Sequence, residues 1–248
     1  MAATTKLTFY FDCISPFSCL AHHVLQRYAP FWAARGVEIV YRPILLGGVM
    51  AATKNLPPMA RPWAKATRKV GDQDLVRARG FFGVDLLPIP SNFFGPDGPG
   101  DKRGLARDMR PMRLLAAVGL DHPSALQKAT THMFHVFHIG TEHRNNNAVH
   151  MDTQTLQDVC MSAGLTAAES DKLINERIAD KLVKDALKKS TADAIGLGAF
   201  GAPFFVVDEG RADGERQVYF GSDRFEQMCW FHDWPWVGPD PERPSTKL

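Results

Sequence analysis

The stretch FYFDCISPFSCLA, residues 9–21, joins a strand-like half to a helix-like half. Leu7 to Asp12 alternates and is rich in Phe and Tyr, which predicts a strand. Pro16 to Arg35 carries apolar residues at helical spacing, with Ser15 as N-cap and Pro16 as the first helical residue. The stretch therefore predicts a strand that turns into a helix at Ser15.

An α/β pattern occurs at both ends of the 248-residue chain. Val37 to Ile44 is typical of a second strand, so the N-terminal part predicts a βαβ unit with parallel strands. Phe204 to Asp208 and Gln217 to Phe220 predict a hairpin. A final helix, Asp223 to Phe231, follows with Ser222 as its cap. We expect the two ends to form one sheet domain.

The middle of the chain has a different pattern. From Gly47 onward, Gly and Pro predict a long irregular connection instead of a third strand. Helical segments follow, at Lys102 to Val118, Pro123 to Ile139, Asp152 to Ala163 and Thr166 to about Leu187. Asp152 is a plausible N-cap, and Thr166 forms a capping box with Glu169. The predicted organisation is one α/β domain made of residues 1–60 and 191–248, interrupted by a helical insertion at 61–190.

Composition indicates an ordinary globular protein. With 45% hydrophobic residues and a formal net charge of +2, the chain can bury a core and lacks the basic stripe that binds nucleic acid. Long apolar runs such as Val37 to Val49 are broken by charged residues and are too short to span a membrane. We therefore expect neither nucleic acid nor a membrane as a partner.

The ends of the chain and its cysteines bear on its location. Met1 to Leu7 lacks the apolar core of a secretory signal. The four cysteines form neither a C-x-x-C pair nor a dense framework, which suits a reducing compartment. These observations predict an intracellular protein. Thr246-Lys247-Leu248 approximates the peroxisomal Ser-Lys-Leu signal, but Thr is a poor match, so cytoplasm, peroxisome and mitochondrion stay open.

Five short motifs lie at the boundaries of the predicted elements. They are Ser15-Pro16-Phe17-Ser18, Pro43-Ile44-Leu45-Leu46-Gly47-Gly48, Asn55-x-Pro57-Pro58, Gly198-Ala199-Phe200-Gly201-Ala202-Pro203 and Phe220-Gly221-Ser222-Asp223-Arg224. In this order they resemble the kappa-class glutathione transferases over essentially the whole chain. The resemblance implies a thioredoxin-like α/β domain interrupted by a large all-helical insertion.

Ser15 has two interpretations. A serine at this position is a common helix N-cap and needs no further role. The same helix N-terminus also presents unpaired N–H groups and partial positive charge, which would stabilise a thiolate placed over the Ser15 hydroxyl. The resemblance favours the second interpretation, in which Ser15 is the catalytic residue and the sulfur belongs to glutathione.

Further glutathione contacts follow from the resemblance. It implies that Ala202, before a cis Pro203, pairs through its N–H and C=O with the cysteinyl part of the peptide. Ser222 would receive the γ-glutamyl carboxylate and Asp223 the ammonium, although an N-cap followed by an acid is also ordinary helix chemistry.

Asn55 and Lys65 would approach the glycyl end of the peptide. The spacing of the segment around Lys65 departs from the family, and Arg61, Arg68 and Lys69 are alternatives there. A solvated charged face also explains this group of basic residues.

Two other features need no functional role. Cys13 and Cys19 flank the Ser15 turn, and we predict both as small buried hydrophobic residues. His132, His135 and His138 are three apart on a predicted helix. The pattern does not supply the remaining ligands of a metal site, so we predict surface, core or subunit-contact roles.

The predicted protein is thus a glutathione transferase that conjugates glutathione to small hydrophobic electrophiles, with reduction of organic peroxides as a further reaction. The resemblance implies a homodimer with glutathione as co-substrate and neither a cofactor nor a metal. A glutathione-dependent 2-hydroxychromene-2-carboxylate isomerase is the main alternative. A thioredoxin-like disulfide oxidoreductase is weakened by serine at both redox positions, and a non-catalytic glutathione-binding protein stays open.

Overall fold

The computed structural model describes residues 5–56, 64–95 and 104–243, with side chains from residue 73 onward in the helix that begins at Ala64. Its strands are β1 (Thr5–Phe11), β2 (Val37–Pro43), β3 (Arg144–Asn145), β4 (Ala148–Val149), β5 (Phe204–Asp208) and β6 (Gln217–Phe220). Four of them form a sheet in the order β2-β1-β5-β6, and β3 and β4 form a separate ribbon.

The sheet unites the two ends of the chain. β1 pairs in parallel with β2, with Phe9 opposite Tyr41. On its other side β1 pairs antiparallel with β5, which continues into the hairpin partner β6. The predicted parallel βαβ unit and the predicted hairpin are therefore confirmed. The sheet also places the end of β1 next to the start of β5, where Tyr10 lies opposite Phe204.

Helices surround this sheet and fill the insertion. They are α1 (Pro16–Ala33), α2 (Leu46–Thr53), α3 (Ala64–Phe82), α4 (Arg110–Asp121), α5 (Leu126–His138), α6 (Thr153–Ser162), α7 (Ala167–Asn175), α8 (Lys181–Gly196) and α9 (Phe225–His232). The caps at Asp152 and Thr166 are confirmed, and Glu169 completes the capping box. Within residues 64–95 and 104–190, the regular secondary structure is helical apart from the short β3–β4 ribbon.

The predicted irregular connection after Gly47 is wrong at its start, because α2 occupies Leu46–Thr53. Glycine weakens a helix by about 1 kcal/mol per residue, yet two tertiary contacts hold this one. The Asp12 carboxylate accepts the Leu46 N–H at 2.8 Å, and the Thr191 hydroxyl accepts the Leu45 N–H at 3.0 Å. A Cβ on Gly48 would lie 3.4 Å from the Thr191 methyl, an ordinary van der Waals contact, so α2 packs against α8 at this position.

The single helix predicted from Thr166 to about Leu187 is two helices. α7 ends at Asn175, a 3₁₀ turn spans Arg177–Ala179, and α8 begins at Lys181 and reaches Gly196. Asp180 starts α8 as an N-cap that accepts the Leu182 N–H at 2.9 Å. A capping side chain favours a new helix start over continuation of the old one, so the chain bends there.

The larger of two hydrophobic clusters among the described residues extends from the sheet into the insertion. Trp32 of α1 and Phe205 of β5 are completely buried. Phe11 of β1 packs against Phe134 of α5, with ring centroids 5.8 Å apart. The insertion is therefore packed directly on the strand that leads to Ser15.

None of the helices in the described ranges combines the length and the hydropathy that a membrane span requires.

Candidate active site

Ser15 caps the N-terminus of α1, as predicted. Its backbone is extended, at φ −89° and ψ 113°, and its Oγ accepts the Ser18 N–H at 3.2 Å. Pro16 follows as the first helical residue, where its missing N–H removes no helical hydrogen bond. The serine hydroxyl therefore lies at the positive end of the helix dipole.

The Ser15 hydroxyl also contacts the loop that precedes β5. Its Oγ donates a hydrogen bond to the Ala202 carbonyl at 3.2 Å, and the Ala202–Pro203 peptide bond is cis, as the family resemblance implies. Ser15 is 5% exposed and Pro203 is buried, whereas Ala202 is half-buried. The structure thus brings Ser15, Ala202 and Pro203 together.

Two helices of the insertion hold Cys13, two residues after the end of β1. The Cys13 N–H donates to the Met112 sulfur at 3.3 Å, and His138 Nε2 lies 2.8 Å from the Cys13 carbonyl. Burial lowers the pKa of His138 to about 4, so the ring is neutral near pH 7 and its Nε2–H donates to that carbonyl. His138 therefore has a core role.

The cysteines are structural. All four are free and buried, and Cys13 and Cys19 are at most 1% exposed, which confirms the prediction for this pair. Burial raises the pKa of each thiol, to about 11 for Cys160 and about 12 for Cys229. Protonated, inaccessible thiols are poor partners for disulfide exchange.

Asn55 reaches the Ala202 loop from the end of α2. Its Nδ2 donates to the Phe200 carbonyl at 2.8 Å. Lys65 belongs to α3, but the structure describes only its backbone and not its side chain. The same holds for the side chains of Arg68 and Lys69 and for all of Arg61, Pro57-Pro58 and Thr246-Lys247-Leu248. The assignment of the glycyl contact among the basic residues stays a prediction.

The Ser222-Asp223 turn joins the same loop from β6. The Gly221 N–H donates to the Pro203 carbonyl at 3.0 Å. Gly221 has φ +101°, and a Cβ there would meet Asp223 Oδ1 at 2.4 Å, so the turn requires glycine. Within it Ser222 is buried and Asp223 is exposed.

The prediction that Ser222 caps the final helix is wrong. The positive φ of Gly221 starts a 3₁₀ turn, Ser222–Arg224, and Ser222 is its first residue. α9 begins after this turn at Phe225, and no side chain caps either element. The Ser222 hydroxyl is therefore not committed to a helix cap.

The segments that meet at Ser15 carry exposed phenylalanines. Phe17 is 37% exposed in the first turn of α1, Phe200 is 45% exposed before Ala202, and Phe220 is 37% exposed before Gly221. The Phe200 and Phe220 ring centroids are 4.3 Å apart. A Cβ on Gly201 would meet the Phe220 ring at 2.8 Å, so glycine makes room for this pair.

The histidines of α5 have different surroundings. His135 is a surface residue whose Nε2 lies 2.5 Å from Glu142 Oε1. His132 lines an open cavity of about 690 Å³ with Glu142 and His143. In the part of the chain that the structure describes, no group of three or more His, Cys, Asp or Glu residues is arranged to hold a metal ion.

Sequence reasoning missed Asp12. This residue is 3% exposed, and its carboxylate accepts the N–H groups of Ile14 and Leu46. The available signal was an acidic residue at the end of an apolar strand, three positions before Ser15. A buried carboxylate requires hydrogen-bond partners, so an acid at the end of an apolar strand indicates a specific role for that side chain.

The sequence profile of the DsbA-like thioredoxin domain matches residues 6–229. A rat protein named glutathione S-transferase kappa 1 is 30% identical over 246 residues, which cover 99% of each chain. The chain belongs to the kappa-class glutathione transferase family, within the DsbA-like thioredoxin proteins. It is therefore an enzyme of the glutathione transferase or related isomerase type.

The chain is also similar to 2-hydroxychromene-2-carboxylate isomerases. A protein from Sphingobium xenophagum named 2-hydroxychromene-2-carboxylate isomerase is 30% identical over 224 residues, covering 90% of this chain and 95% of the other. A solved structure of such an isomerase superimposes with a TM-score of 0.66 at 19% identity and covers 92% of this chain and 94% of its own. The structural likeness supports the thioredoxin-like fold with its helical insertion.

Proposed function

We propose that this protein binds glutathione, ionises its thiol beside Ser15 and transfers the thiolate to a small apolar electrophile. The observation that carries this proposal is the position of one hydroxyl. Ser15 Oγ lies at the N-terminus of α1 and within 3.2 Å of the Ala202 carbonyl. The positive end of a helix and the backbone that we propose to pair with an extended peptide therefore meet at a single donor.

The physical terms suffice to ionise a thiol near neutral pH. A thiolate at a helix N-terminus gains about 0.3 to 1 kcal/mol, and up to ~2 when partly buried. A hydrogen bond from the Ser15 hydroxyl to the charged sulfur adds roughly 1.5 to 3 kcal/mol. At about 1.36 kcal/mol per pKa unit, these terms together bring a thiol pKa from about 8.5 to near 6.

The Ser15 hydroxyl can change its acceptor when the peptide binds. In this structure its hydrogen points to the Ala202 carbonyl. When glutathione pairs with Ala202 as an added strand, the cysteinyl N–H takes that carbonyl. The Ser15 hydrogen is then available to the sulfur, while the Ser18 N–H keeps Oγ in place.

The ends of the peptide have candidate partners on both sides of the Ala202 loop. We assign the γ-glutamyl group to Ser222 and Asp223, whose turn is bonded to Pro203. We assign the glycyl end to Asn55, which is bonded to Phe200, together with Lys65. These bonds support the assignment because each candidate segment is tied directly to the loop that carries Ala202.

The electrophile would pack on the exposed phenylalanines near the sulfur. Phe17, Phe200 and Phe220 offer apolar, aromatic surface beside the segments that hold the thiolate. Apolar surface near a nucleophile favours the binding of apolar electrophiles, because the side chains and the electrophile bury apolar surface from water when they pack together.

Steady-state conjugation of glutathione to chlorodinitrobenzene tests the proposal. The parent should conjugate, and thiolate absorbance against pH should report a bound thiol pKa well below that of free glutathione. Ser15→Ala should raise that pKa and lower kcat/KM, whereas Ser18→Ala, one turn further along α1, should change neither. Absence of glutathione binding at millimolar concentration would remove the proposal. Binding without turnover would indicate a non-catalytic glutathione-binding protein.

An isomerase is the second candidate, because of the 30% identity to the Sphingobium xenophagum protein. In that reaction the thiolate adds to a ring-opened aromatic compound and leaves again, so glutathione is not consumed. Incubation with 2-hydroxychromene-2-carboxylate and substoichiometric glutathione separates the two reactions. Many turnovers per glutathione would establish the isomerase, and loss of one glutathione per product would establish the transferase.

We further propose that the chain forms a homodimer, as the family resemblance implies. Trp230 of α9 is 81% exposed and Phe231 is 51% exposed, and large apolar side chains of this kind are typical of subunit contacts. Light scattering of the purified protein would give the molar mass. A concentration-independent monomer would contradict the proposal.

A further inference from the structure

Asp12 lies at the point where two segments of the candidate site begin. Its side chain is almost fully buried and accepts two backbone N–H groups, one per carboxylate oxygen. Oδ1 accepts the Ile14 N–H at 3.2 Å, and Oδ2 accepts the Leu46 N–H at 2.8 Å. Its backbone carbonyl also accepts the Ser15 N–H at 3.1 Å.

The first of these segments is the serine turn. Ile14 and Ser15 both bond back to Asp12, one to its side chain and one to its backbone. Asp12 therefore fixes the turn between β1 and α1 from its base, together with the bonds that Met112 and His138 make to Cys13. The position of the Ser15 hydroxyl depends on this turn, because Ser15 is the cap that follows it.

The second segment is α2 with Asn55 at its end. Leu46 is the first helical residue of α2, and Leu45 in the cap position supplies no side-chain bond. Asn55 lies two residues after α2 and is bonded to the Phe200 carbonyl. The orientation of α2 thus affects the position of Asn55 relative to Ser15.

We propose that Asp12 is a positioning residue that holds the Ser15 turn and the Asn55 segment in a fixed relation, so that one glutathione can engage both. The inference rests on the proposed function. Only a carboxylate supplies two equivalent acceptor oxygens to two N–H donors, whereas asparagine supplies one. Burial raises the pKa of Asp12 to about 6, so the carboxylate is still largely ionised at neutral pH and keeps both acceptors.

Two variants break this link in different ways. Asp12→Asn removes one acceptor and the charge. Leu46→Pro removes the N–H that Oδ2 accepts and leaves Asp12 intact. Proline is favoured at the first position of a helix, and Leu45 already has the extended conformation, ψ 102°, that a residue before proline requires. Leu46→Pro therefore provides a test that does not depend on whether Asp12→Asn folds.

Thr191→Val is the matched control. The Thr191 hydroxyl also holds the start of α2, through the Leu45 N–H, but it lies on α8 and has no bond to the serine turn. Thr191→Val removes this bond but keeps both bonds of the Asp12 carboxylate, so α2 remains connected to the serine turn. The control therefore separates general anchoring of α2 from the specific link through Asp12.

The measurement compares glutathione with γ-glutamylcysteine, which lacks the glycyl end. The kcat/KM ratio of the two thiols, with chlorodinitrobenzene as electrophile, reports how well the thiol and glycyl ends are held together. We expect the parent to prefer glutathione. Asp12→Asn and Leu46→Pro should reduce that preference by about five-fold, the effect of one hydrogen bond. Thr191→Val should keep it.

The outcomes distinguish the inference from the proposed function. If the parent binds no glutathione, the proposed function fails. If the parent prefers glutathione and the folded variants keep the full preference, only the role of Asp12 fails. A parent without preference, or an equal loss in Thr191→Val, would also overturn that role, since either result removes the specific link between Ser15 and Asn55.

Discussion

Ser15 and Ser18 occupy the positions at which a redox turn carries cysteines, but their hydroxyls have different surroundings. Ser15 Oγ accepts the Ser18 N–H and donates to the Ala202 carbonyl. Ser18 Oγ is buried and has no hydrogen-bond partner among the residues that the structure describes. A buried hydroxyl without a partner costs stability, so the two serines should respond oppositely to substitution.

Ser18→Ala should increase the free energy of unfolding by about 1 kcal/mol, because it removes an unpaired buried hydroxyl. Ser15→Ala should decrease it by about 1 kcal/mol, because it removes the cap of α1. Urea unfolding of the parent and both variants measures the difference. A destabilised Ser18→Ala would show that this hydroxyl has a partner after all.

Gly221 offers a second test at the level of single residues. In Gly221→Ala the added Cβ would contact the Asp223 side chain, and alanine would have to adopt the positive φ of this position. The strain of such a backbone conformation is about 1 to 3 kcal/mol. Because the turn carries the proposed γ-glutamyl contacts, KM for glutathione should rise about ten-fold.

Gly36→Ala provides the control for Gly221→Ala. Gly36 also has positive φ, +78°, but nothing lies within 4 Å of an added Cβ. This glycine immediately precedes β2, at the opposite edge of the sheet from β6 and the Ser222-Asp223 turn. Gly36→Ala should lower stability and leave KM for glutathione unchanged. An equal rise in KM in both variants would contradict a local role for the Gly221 turn.

Among the elements, α1 is held at both ends by distant parts of the chain. At its N-terminus, Ser15 bonds to the Ala202 loop. Near its C-terminus, Tyr28 donates to the Gly238 carbonyl at 2.7 Å and accepts the Val237 N–H at 3.0 Å. Trp236 stacks on Tyr28, with ring centroids 4.9 Å apart. The C-terminal segment therefore fastens the helix whose other end carries the hydroxyl that we propose as catalytic.

Tyr28→Phe should destabilise the protein by about 1 to 3 kcal/mol, because the Val237 N–H and the Gly238 carbonyl both lose their partner. Tyr28 lies about 20 Å along α1 from Ser15, so kcat for conjugation should stay unchanged at a temperature where the variant is folded. Thermal unfolding and steady-state kinetics check the two parts. Ala33→Gln, at an exposed position in the last turn of the same helix, should change neither. Equal stability of Tyr28→Phe and the parent would contradict the role of these bonds.

At the scale of the whole molecule, buried titratable groups connect the sheet with the insertion. Burial lowers the pKa of His138 to about 4 and that of His22 to about 3. His138 bonds from α5 to the end of β1, and His22 of α1 lies 2.9 Å from the Thr131 hydroxyl of α5. The core that joins the two parts of the fold is thus stable only while these rings stay neutral.

The stability should therefore depend on pH between about 4 and 6.5, with two opposing contributions. The His138 contribution is complete above its unfolded pKa near 6.5 and is lost as the pH falls toward 4. The Asp12 contribution has the opposite sign, because burial raises the pKa of its carboxyl from 3.8 to about 6 in the folded state. Protonation of Asp12 therefore stabilises the folded state fully below pH 3.8, and this stabilisation is lost as the pH rises through about 6. Each amounts to about 3 kcal/mol.

Urea unfolding from pH 4 to 7 should show acid destabilisation of the parent, because His22 adds to His138. His138→Asn should flatten this dependence, and Asp12→Asn should make it steeper. The sign of the two changes relative to the parent is the decisive result. Identical slopes in all three proteins would contradict the titration of these groups within the window.

Much of the fold was predictable from local patterns. The strand-turn-helix at Ser15, the parallel βαβ unit, the C-terminal hairpin and the caps at Asp152 and Thr166 all appear where the sequence predicts them. The errors lie where tertiary contacts override local preference. α2 forms over two glycines because Asp12 and Thr191 hold its first N–H groups, and Ser222 is no cap because Gly221 starts a different turn.

Local sequence determined which residues form strands and helices, and which side chains occupy the turns, because hydrophobic period, capping and turn chemistry act over a few residues. The local sequence also contains the motifs by which the chain resembles its family. Only the tertiary structure decided that Ser15 donates to a carbonyl 187 positions away and that Asp12 joins two segments of the site. Such contacts depend on how the sheet aligns strands that are far apart in the sequence, and a local sequence pattern carries no information about that alignment.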